Sequence, residues 1–372
     1  MKGLGRLWLR AAKKITKAQQ TQQRKLVKSL IIPAKKKRAV SDKAATTVKR
    51  VAKAPRYPTT AVKTEPVPLP GKWLSSFYVS AMDSTPARRM QYWLYLPSTV
   101  STASLPLVVM LHGCEQTATQ FAQGTSMNRL AEEKGFAVLY PQQSLSAHPN
   151  RCWTWYDKAT QAGESDVKLI TGVISKVVGT YPVDTRRIYI AGMSAGASMA
   201  SIVALNHPHL IAAVGMHSGT VFGGGHSKMG ALGVMQHGEL KPVGNAIDKV
   251  MARSGVFPVM PAMLIQGQAD RIVRPVNLIQ LTQQFRRLNR LADSAGISVM
   301  KPAGKARHNP AHGFLTTDYL MGRKPIVRAC DIFHLDHAWS GGDASLRFNS
   351  SAGPNATKML WSFFSKHRRS SA

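Results

Sequence analysis

The feature that most constrains the fold of this chain is the stretch RRIYIAGMSAGASMA, at residues 186–200. Its β-branched and aromatic residues at 188–190 favour a buried strand, and the small residues from 195 onward favour a helix. Ser194 lies between the two halves, with a glycine two positions away on each side. A strand, a Gly-x-Ser-x-Gly turn and a helix in this order predict a nucleophile elbow, which holds a serine hydroxyl above a sheet.

The segments on either side of this turn alternate between strand-like and helix-like patterns. Strands are predicted at 73–81, 90–98, 105–113, 136–141, 188–190, 210–219, 262–270 and 324–335, and helices at 117–134, 165–180, 195–205, 276–294 and 356–366. The first two strands should pair antiparallel, whereas the continuous apolar run at 105–113 indicates a strand covered on both faces. The alternation predicts an α/β fold of the α/β-hydrolase type, with a mostly parallel central sheet flanked by helices on both faces.

A serine hydroxyl becomes an effective nucleophile only when a base takes its proton and an acid orients that base. On an α/β-hydrolase sheet, the acid follows the serine in the chain and the histidine comes last. Asp270 ends the predicted strand 262–270 and is the predicted acid, although aspartates are also common as helix caps after strands. Asp331, within a later strand, and Asp336, just beyond it, are the alternatives.

The predicted base is His337, because the Ala-Trp-Ser-Gly-Gly loop that follows it is flexible enough to bring an imidazole over Ser194. His334, at the end of the last predicted strand, is better explained as a packed or surface histidine. His308 and His312 lie in a polar segment and are weaker candidates. The sequence therefore predicts a triad of a serine, an aspartate and a histidine.

Acyl transfer through such a triad also needs backbone N–H groups that stabilise an oxyanion. One predicted donor is Ala195, directly after the serine at the start of a helix. The other should come from the loop after strand 105–113, where the N–H of Cys114 is the predicted donor. His112, in the same loop, is better explained as a structural residue. This mechanism needs no metal and no organic cofactor.

Four motifs occur in this order: VVMLHGCEQT, RCWTWY, IYIAGMSAGASMA and HAWSGG. Their combination resembles the polyhydroxybutyrate depolymerase-like esterases, a serine esterase family of the α/β-hydrolase superfamily, from about Trp73 to the end of the chain. The resemblance implies that Ser194, Asp270 and His337 hydrolyse an ester substrate. It further implies short-chain hydroxyalkanoate esters or polyesters as substrates, with feruloyl and acetyl esters of plant polysaccharides as the alternative.

The chain has three cysteines, Cys114, Cys152 and Cys330, which are too few for a disulfide scaffold and lack the spacing of a zinc site. Composition alone leaves open which of them pair, if any. The family resemblance implies a disulfide between Cys114 and Cys152, with Cys330 free. It also implies that Cys114 occupies the oxyanion position.

Three tryptophans in the motif loops are candidate substrate-binding residues: Trp153 and Trp155 as a flat apolar platform, and Trp339, next to the catalytic loop, by shaping the pocket. The alternative for Trp153 and Trp155 is that they pack the loops onto the domain. Residues 218–233 are rich in glycine and predict a mobile cap loop, without a phosphate-binding pattern.

The formal net charge of +32 is concentrated at the start of the chain, where residues 1–63 hold 19 lysines and arginines but only one acid. We expect residues 1–70 to form a basic tail and a proline-rich linker, and residues 71–372 to form the catalytic domain. Residues 1–40 combine a basic amphipathic pattern with a lysine-rich cluster. They suit an anionic membrane or granule surface, or nucleic acid, although a solvated tail fits them equally.

Two features differ from the resembled family. The residues before the predicted base are His334, Leu335 and Asp336 instead of small ones, so a second carboxylate could compete with Asp270 for the imidazole. The start of the chain also lacks the apolar run of a secretory signal. The resemblance implies an extracellular protein, whereas this start favours a cytoplasmic, granule or membrane location. A non-catalytic hydrolase-fold protein, tethered through its basic tail, is the competing hypothesis.

Overall fold

The computed structural model describes residues 69–80, 88–99, 104–253, 256–304 and 312–370. The predicted basic tail, most of the predicted linker and His308 lie outside these ranges. Across the described ranges, no helix has both the length and the apolar character that crossing a membrane requires.

A ten-stranded sheet forms the centre of the described chain. Its strands are β1 (Lys72–Val79), β2 (Arg89–Leu96), β3 (Leu105–Leu111), β4 (Ala137–Gln142), β5 (Val183–Met193), β6 (Ala213–His217), β7 (Ala262–Gly267), β8 (Ile297–Lys301), β9 (Phe314–Met321) and β10 (Lys324–Ile332). They are ordered β1-β2-β4-β3-β5-β6-β7-β10-β9-β8. The six strands from β4 to β10 in this order run parallel, and the two strands at each edge are antiparallel additions. The predicted α/β fold with a mostly parallel sheet is confirmed.

Helices connect the parallel strands and cover the sheet. They are α1 (Ala118–Thr125), α2 (Met127–Lys134), α3 (Lys158–Gln161), α4 (Asp166–Thr180), α5 (Ala195–Asn206), α6 (Lys228–His237), α7 (Gly244–Arg253), α8 (Val276–Leu288) and α9 (Ala356–Phe364). Helix α5 packs on β3, β5 and β6, and α8 packs on β7 and β10. All seven residues of β3 are buried, so this strand is covered on both faces, as its apolar run predicts.

Two predicted helices have different boundaries in the structure. The helix predicted at 117–134 is divided into α1 and α2 by Ser126, whose φ of 53° is left-handed and cannot continue a helix. The helix predicted at 276–294 ends at Leu288. There Asn289 turns its side-chain amide back to the carbonyl oxygen of Phe285, and Arg290 is also left-handed. Both ends are set by single backbone conformations that hydrophobic periodicity does not reveal.

Two further segments differ from the sequence prediction. The glycine-rich segment 218–233 is not a continuous loop, because α6 begins within it at Lys228. Ser227 caps this helix by accepting a hydrogen bond from the N–H of Gly230 at 3.0 Å. The β8–β9 hairpin was not predicted, since β8 is exposed at all five positions and gives no buried alternation.

Candidate active site

Ser194 lies in a sharp turn between the end of β5 and the start of α5. Its φ of 56° and ψ of −124° are unusual for a residue with a side chain, and such strain is typical of functional sites. The turn is fixed because the Ser194 N–H donates to the carbonyl oxygen of His217, on the neighbouring strand, at 2.9 Å. Ser194 is largely buried, with 8% of its surface exposed.

The glycine two positions after this serine is required by the close approach of α5 to β3. A methyl group on Gly196 would overlap with the carbonyl oxygen of Leu111 and would lie 2.5 Å from that of His112. Both obstacles are backbone atoms of a buried strand end, so neither can move aside easily. The small residues of the elbow therefore have a steric cause, as the sequence pattern suggests.

We expect Gly196→Ala to lower the free energy of unfolding by roughly 3 kcal/mol or more, because overpacking here must displace buried backbone. Gly179→Ala is the matched control: it lies in α4, and no atom lies within 4 Å of its added methyl group. That control should stabilise the protein by about 0.5–1 kcal/mol. Urea denaturation of both variants checks the prediction, which fails if they unfold at the same concentration.

The structure brings Asp270 and His337 together. The Nδ1 atom of His337 lies 2.7 Å from Oδ2 of Asp270, and both side chains are buried. The other carboxylate oxygen, Oδ1, accepts hydrogen bonds from the N–H groups of Ile272 and Val273, each at 2.9 Å. Gln266 donates to Oδ2 at 3.0 Å. The carboxylate is thus held from several sides and fixes the imidazole in one orientation.

The alternative acid and base candidates have other surroundings. Asp331 accepts a hydrogen bond from the side chain of Gln268 at 2.8 Å, and burial raises the pKa of its carboxyl. His334 is exposed, and its ring lies 6.4 Å from the ring of His312. Asp336 is partly buried beside His337 in the chain, but the carboxylate at Nδ1 of His337 belongs to Asp270.

The sheet explains why distant positions in the chain converge. Ser194 follows β5, Asp270 follows β7 and His337 follows β10, and these strands are parallel neighbours with β6 between β5 and β7. Carboxyl ends of parallel strands lie at one edge of a sheet, where α/β proteins place their sites. At this edge, the imidazole of His217, the last residue of β6, interacts electrostatically with both His337 and Asp270. The backbone of Ser194 and the segment that follows His337 both contact His217.

The loop after β3 lies directly against the nucleophile. A methyl group on Gly113 would lie 3.5 Å from the Cβ atom of Ser194. The N–H of Gly113 donates to the side chain of Gln116 at 2.8 Å, and that of Glu115 donates to a carbonyl oxygen at 2.7 Å. In the described part of the chain, the N–H of Cys114 between them has no such acceptor. The first N–H groups of a helix also lack an internal acceptor, so Ala195 is in the same position.

His112 stabilises this loop through hydrogen bonds. Its buried imidazole donates from Nδ1 to the carbonyl oxygen of Gly113 at 2.8 Å and accepts the N–H of Gln143 at Nε2, at 3.1 Å. Burial lowers the pKa of His112 to about 4, so the ring is neutral at physiological pH. The indole of Trp153 donates to the carbonyl oxygen of His112 at 2.9 Å. These contacts agree with the structural role expected for His112.

A disulfide joins Cys114 to Cys152, as the family resemblance implies, and Cys330 is free and buried. The bridge ties the loop after β3 to the loop after β4. It therefore fixes the loop that carries the proposed oxyanion donor.

Reducing this disulfide is expected to lower the free energy of unfolding by about 4 kcal/mol, because the bridge spans 38 residues and restricts the unfolded chain. It should also lower kcat, since the loop is no longer held from both sides. Thermal unfolding with and without dithiothreitol measures the effect. The control is the double variant Cys114→Ser, Cys152→Ser, whose Tm should match that of the reduced protein and should not respond to dithiothreitol. A response in that variant would place the effect elsewhere.

Of the two alternatives for Trp153 and Trp155, the structure agrees with packing of the loops and not with a substrate platform. Trp153 and Trp339 are completely buried and Trp155 is 4% exposed, so they do not present a surface to a polymer chain. The indole of Trp339 donates to the hydroxyl of Thr357 at 3.1 Å, which fixes it to the start of α9. These side chains pack the loops onto the domain.

Sequence reasoning missed two residues of the site, Gln266 and His217. Both are polar side chains at the ends of buried parallel strands, β7 and β6 respectively. A polar residue within an otherwise apolar strand end was the available signal, because buried polar groups need partners. The partners themselves are contributed by other strands and loops, which the local pattern does not identify.

A strained serine on a strand–helix turn, at the same carboxyl edge of a parallel sheet as a buried aspartate–histidine pair, is the arrangement that characterises serine hydrolases of the α/β-hydrolase class. Within that class, the chain belongs to the esterase PHB depolymerase family, whose model matches residues 90–310. The acetyl xylan esterase from Aspergillus awamori shares the fold. Its structure matches with a TM-score of 0.57 at 18% identity, over 74% of this chain and 94% of that chain.

Two curated relatives are similar in sequence. Poly(3-hydroxyalkanoate) depolymerase C of Paucimonas lemoignei is 27% identical over 214 residues, covering 56% of this chain and 51% of its own length. A probable acetylxylan esterase A of Neosartorya fischeri is 26% identical over 250 residues, covering 64% of each chain. The chain thus spans between half and two thirds of the length of these relatives.

Proposed function

We propose that this protein is a serine carboxylesterase that acts through Ser194, His337 and Asp270. The observation that carries the proposal is the buried hydrogen bond of 2.7 Å between Asp270 and Nδ1 of His337, at the sheet edge that also presents the strained serine. Burying a carboxylate costs free energy unless it is paired and hydrogen-bonded. We infer from the burial of this pair that it has a functional role. Membership of the esterase family supports the same activity.

The hydrogen bond between His337 and Asp270 supports one direction of proton transfer. Because Nδ1 of His337 donates to the carboxylate, its Nε2 atom is the acceptor and takes the proton of the Ser194 hydroxyl. The serine oxygen then attacks the ester carbonyl, and the N–H groups of Cys114 and Ala195 stabilise the oxyanion, each contributing about 3 kcal/mol. The alcohol leaves with the proton from His337, and water hydrolyses the acyl-enzyme by the same steps.

We propose short-chain hydroxyalkanoate esters, including poly(3-hydroxybutyrate) oligomers, as the substrate class. The support is the family model and the similarity to a poly(3-hydroxyalkanoate) depolymerase. Acetylated xylan is the second candidate, because another relative of similar identity is a probable acetylxylan esterase. Feruloyl esters are a third candidate, supported by the resemblance and by similarity to a feruloyl esterase.

A substrate panel separates these candidates. The full-length protein is assayed with p-nitrophenyl butyrate, 3-hydroxybutyrate trimer, acetylated xylan and methyl ferulate, and kcat/KM is compared. A preference for the trimer supports the hydroxyalkanoate proposal, and a preference for acetylated xylan or methyl ferulate replaces it. Failure to hydrolyse any ester, together with no labelling by an organophosphonate, would favour the non-catalytic tethered protein.

We also propose an oxidising, extracellular location for the folded domain. The disulfide between Cys114 and Cys152 supports it, since such bridges persist mainly in oxidising compartments. The charge of the first 63 residues supports attachment to an anionic surface. Fractionation of the native host tests the location, and a protein recovered from the cytoplasm with three titratable thiols would contradict it. Binding to anionic vesicles that weakens with salt tests the attachment.

A further inference from the structure

His217 occupies a central position at the sheet edge that the proposed mechanism does not use. It ends β6, and in the register of the sheet it is paired with Met193 on one side and Ile265 on the other. Its carbonyl oxygen accepts the Ser194 N–H, so its backbone supports the nucleophile turn directly. Its side chain is completely buried.

The imidazole of His217 contacts the segment that carries the proposed base. Its Nε2 atom accepts the N–H of Ser340 at 3.3 Å, and its Nδ1 atom lies 3.2 Å from the hydroxyl of Ser218. Its ring also stacks on Trp339, with centroids 5.2 Å apart and planes inclined by 26°. Trp339 and Ser340 form β11, which begins two residues after His337. One side chain therefore links the end of β6 to the strand that follows the proposed base.

These partners also define the protonation state. A backbone N–H can only donate, so the Nε2 atom that faces Ser340 carries no proton, and Nδ1–H donates to the Ser218 hydroxyl. The titratable groups nearest to this ring in the described chain are those of His337 and Asp270. Burial lowers the pKa of His217 to about 3, with a further lowering by His337 and a partial opposing effect of Asp270. The ring is neutral wherever the esterase would work.

We propose that His217 is a positioning residue that fixes β11, and through it His337, relative to Ser194. It does so as an uncharged acceptor, so it does not repel the imidazolium that forms on His337 in the transition state. A lysine or arginine could not serve at this position, because it would present a donor to the Ser340 N–H and add a second positive charge. The inference rests on the proposed esterase function for its kinetic consequence only.

Two substitutions of His217 distinguish its role as hydrogen-bond acceptor for Ser340 from its packing against Trp339. His217→Phe keeps a ring that can stack on Trp339 but removes the acceptor for Ser340. We expect kcat for p-nitrophenyl butyrate to fall about 10- to 100-fold with KM within about twofold, because small misplacements of a base cost rate and not affinity. His217→Gln restores an acceptor near Nε2 and should recover most of kcat. His209→Gln, at an exposed histidine, is the control and should leave both constants unchanged.

Nuclear magnetic resonance tests the same inference without catalysis. In the full-length Ser194→Ala protein, the ring nitrogens of His217 should show the Nδ1–H tautomer without titration between pH 5 and 8. The ring resonances of His337 should move in the additional variant His217→Phe and return in His217→Gln. If the esterase assay fails but these shifts occur, the proposed function is wrong and the positioning role stands.

Several results would overturn the inference. His217→Phe with unchanged kcat removes the positioning role, and so does a His217→Gln variant as slow as His217→Phe with a Tm equal to that of the parent. An imidazolium signal from His217 near pH 6 would contradict the uncharged state. A loss confined to Tm in both variants would show that the residue only stabilises the fold.

Discussion

Ser194→Ala is expected to reduce kcat for p-nitrophenyl butyrate by about 10⁶-fold, which is the order found when the nucleophile of a serine hydrolase is removed. The reason is that the acyl-enzyme can no longer form, since alanine has no oxygen to attack the carbonyl. The oxyanion donors and the imidazole remain, so a small residual rate above that of water should persist. Steady-state hydrolysis at pH 8 measures both rates, and active-site titration of the parent protein calibrates them.

The fold should tolerate this change, because the turn is fixed by the backbone of Ser194 and not by its side chain. The hydrogen bond to His217 uses the backbone N–H, which alanine retains. Ser175→Ala, at an exposed position of α4, is the matched control and should keep full activity and full labelling by an organophosphonate. A Ser194→Ala protein that is still labelled, or that retains more than about a hundredth of the parental kcat, would show that another residue is the nucleophile.

The sequence was sufficient to predict the strand–turn–helix geometry at Ser194 and most of the parallel sheet. It also predicted that the candidate serine, aspartate and histidine follow separate strands in that chain order. These features depend on local patterns: an apolar run for a strand covered on both faces, as in Leu105–Leu111, and small residues where a helix approaches a strand. The steric need at Gly196 is a direct consequence of that approach. Such requirements restrict the residue types at neighbouring positions, so the local sequence pattern predicts them.

The sequence alone could not show which carboxylate pairs with the imidazole of His337. Asp270, Asp331 and Asp336 all lie near strand ends, and only the folded chain shows which carboxylate reaches Nδ1 of His337. The tryptophans of the motif loops were placed in the wrong environment for the same reason, since burial depends on what packs above a loop. The occurrence of three tryptophans near the site suggested an exposed binding surface, whereas all three side chains are buried.

The buried pair also shows why the carboxylate position is specific. Asp270 Oδ1 accepts two backbone N–H groups just after β7, and Gln266 donates to Oδ2 from within β7. All three donors point toward the carboxylate oxygens and hold the carboxylate in one orientation. Asp331 has one side-chain donor, Gln268, and an oxygen that is buried without a hydrogen bond in the described chain. The carboxylate of Asp270 is therefore held by more hydrogen-bond donors than that of Asp331.

Asp270→Asn is expected to lower kcat about 10⁴-fold, the order seen when a triad aspartate is made neutral. The two backbone N–H groups of Ile272 and Val273 cannot reverse, so the oxygen of the asparagine must face them. Its NH₂ group then occupies the Oδ2 position, 2.7 Å from Nδ1 of His337. This donor forces the imidazole to carry its proton on Nε2, where it can no longer accept the proton of Ser194.

The control for this variant is Asp331→Asn, because Asp331 is the alternative acid and is bonded to Gln268 instead of the imidazole. It should leave kcat within about twofold of the parental value, as expected for a group outside the reacting site. Stopped assays at pH 8 measure both variants, and circular dichroism verifies that each is folded. If Asp331→Asn loses activity and Asp270→Asn does not, the imidazole must take its orienting carboxylate from β10. The close contact between Asp270 and His337 would then be structural, and the proposed direction of proton transfer would have to be abandoned.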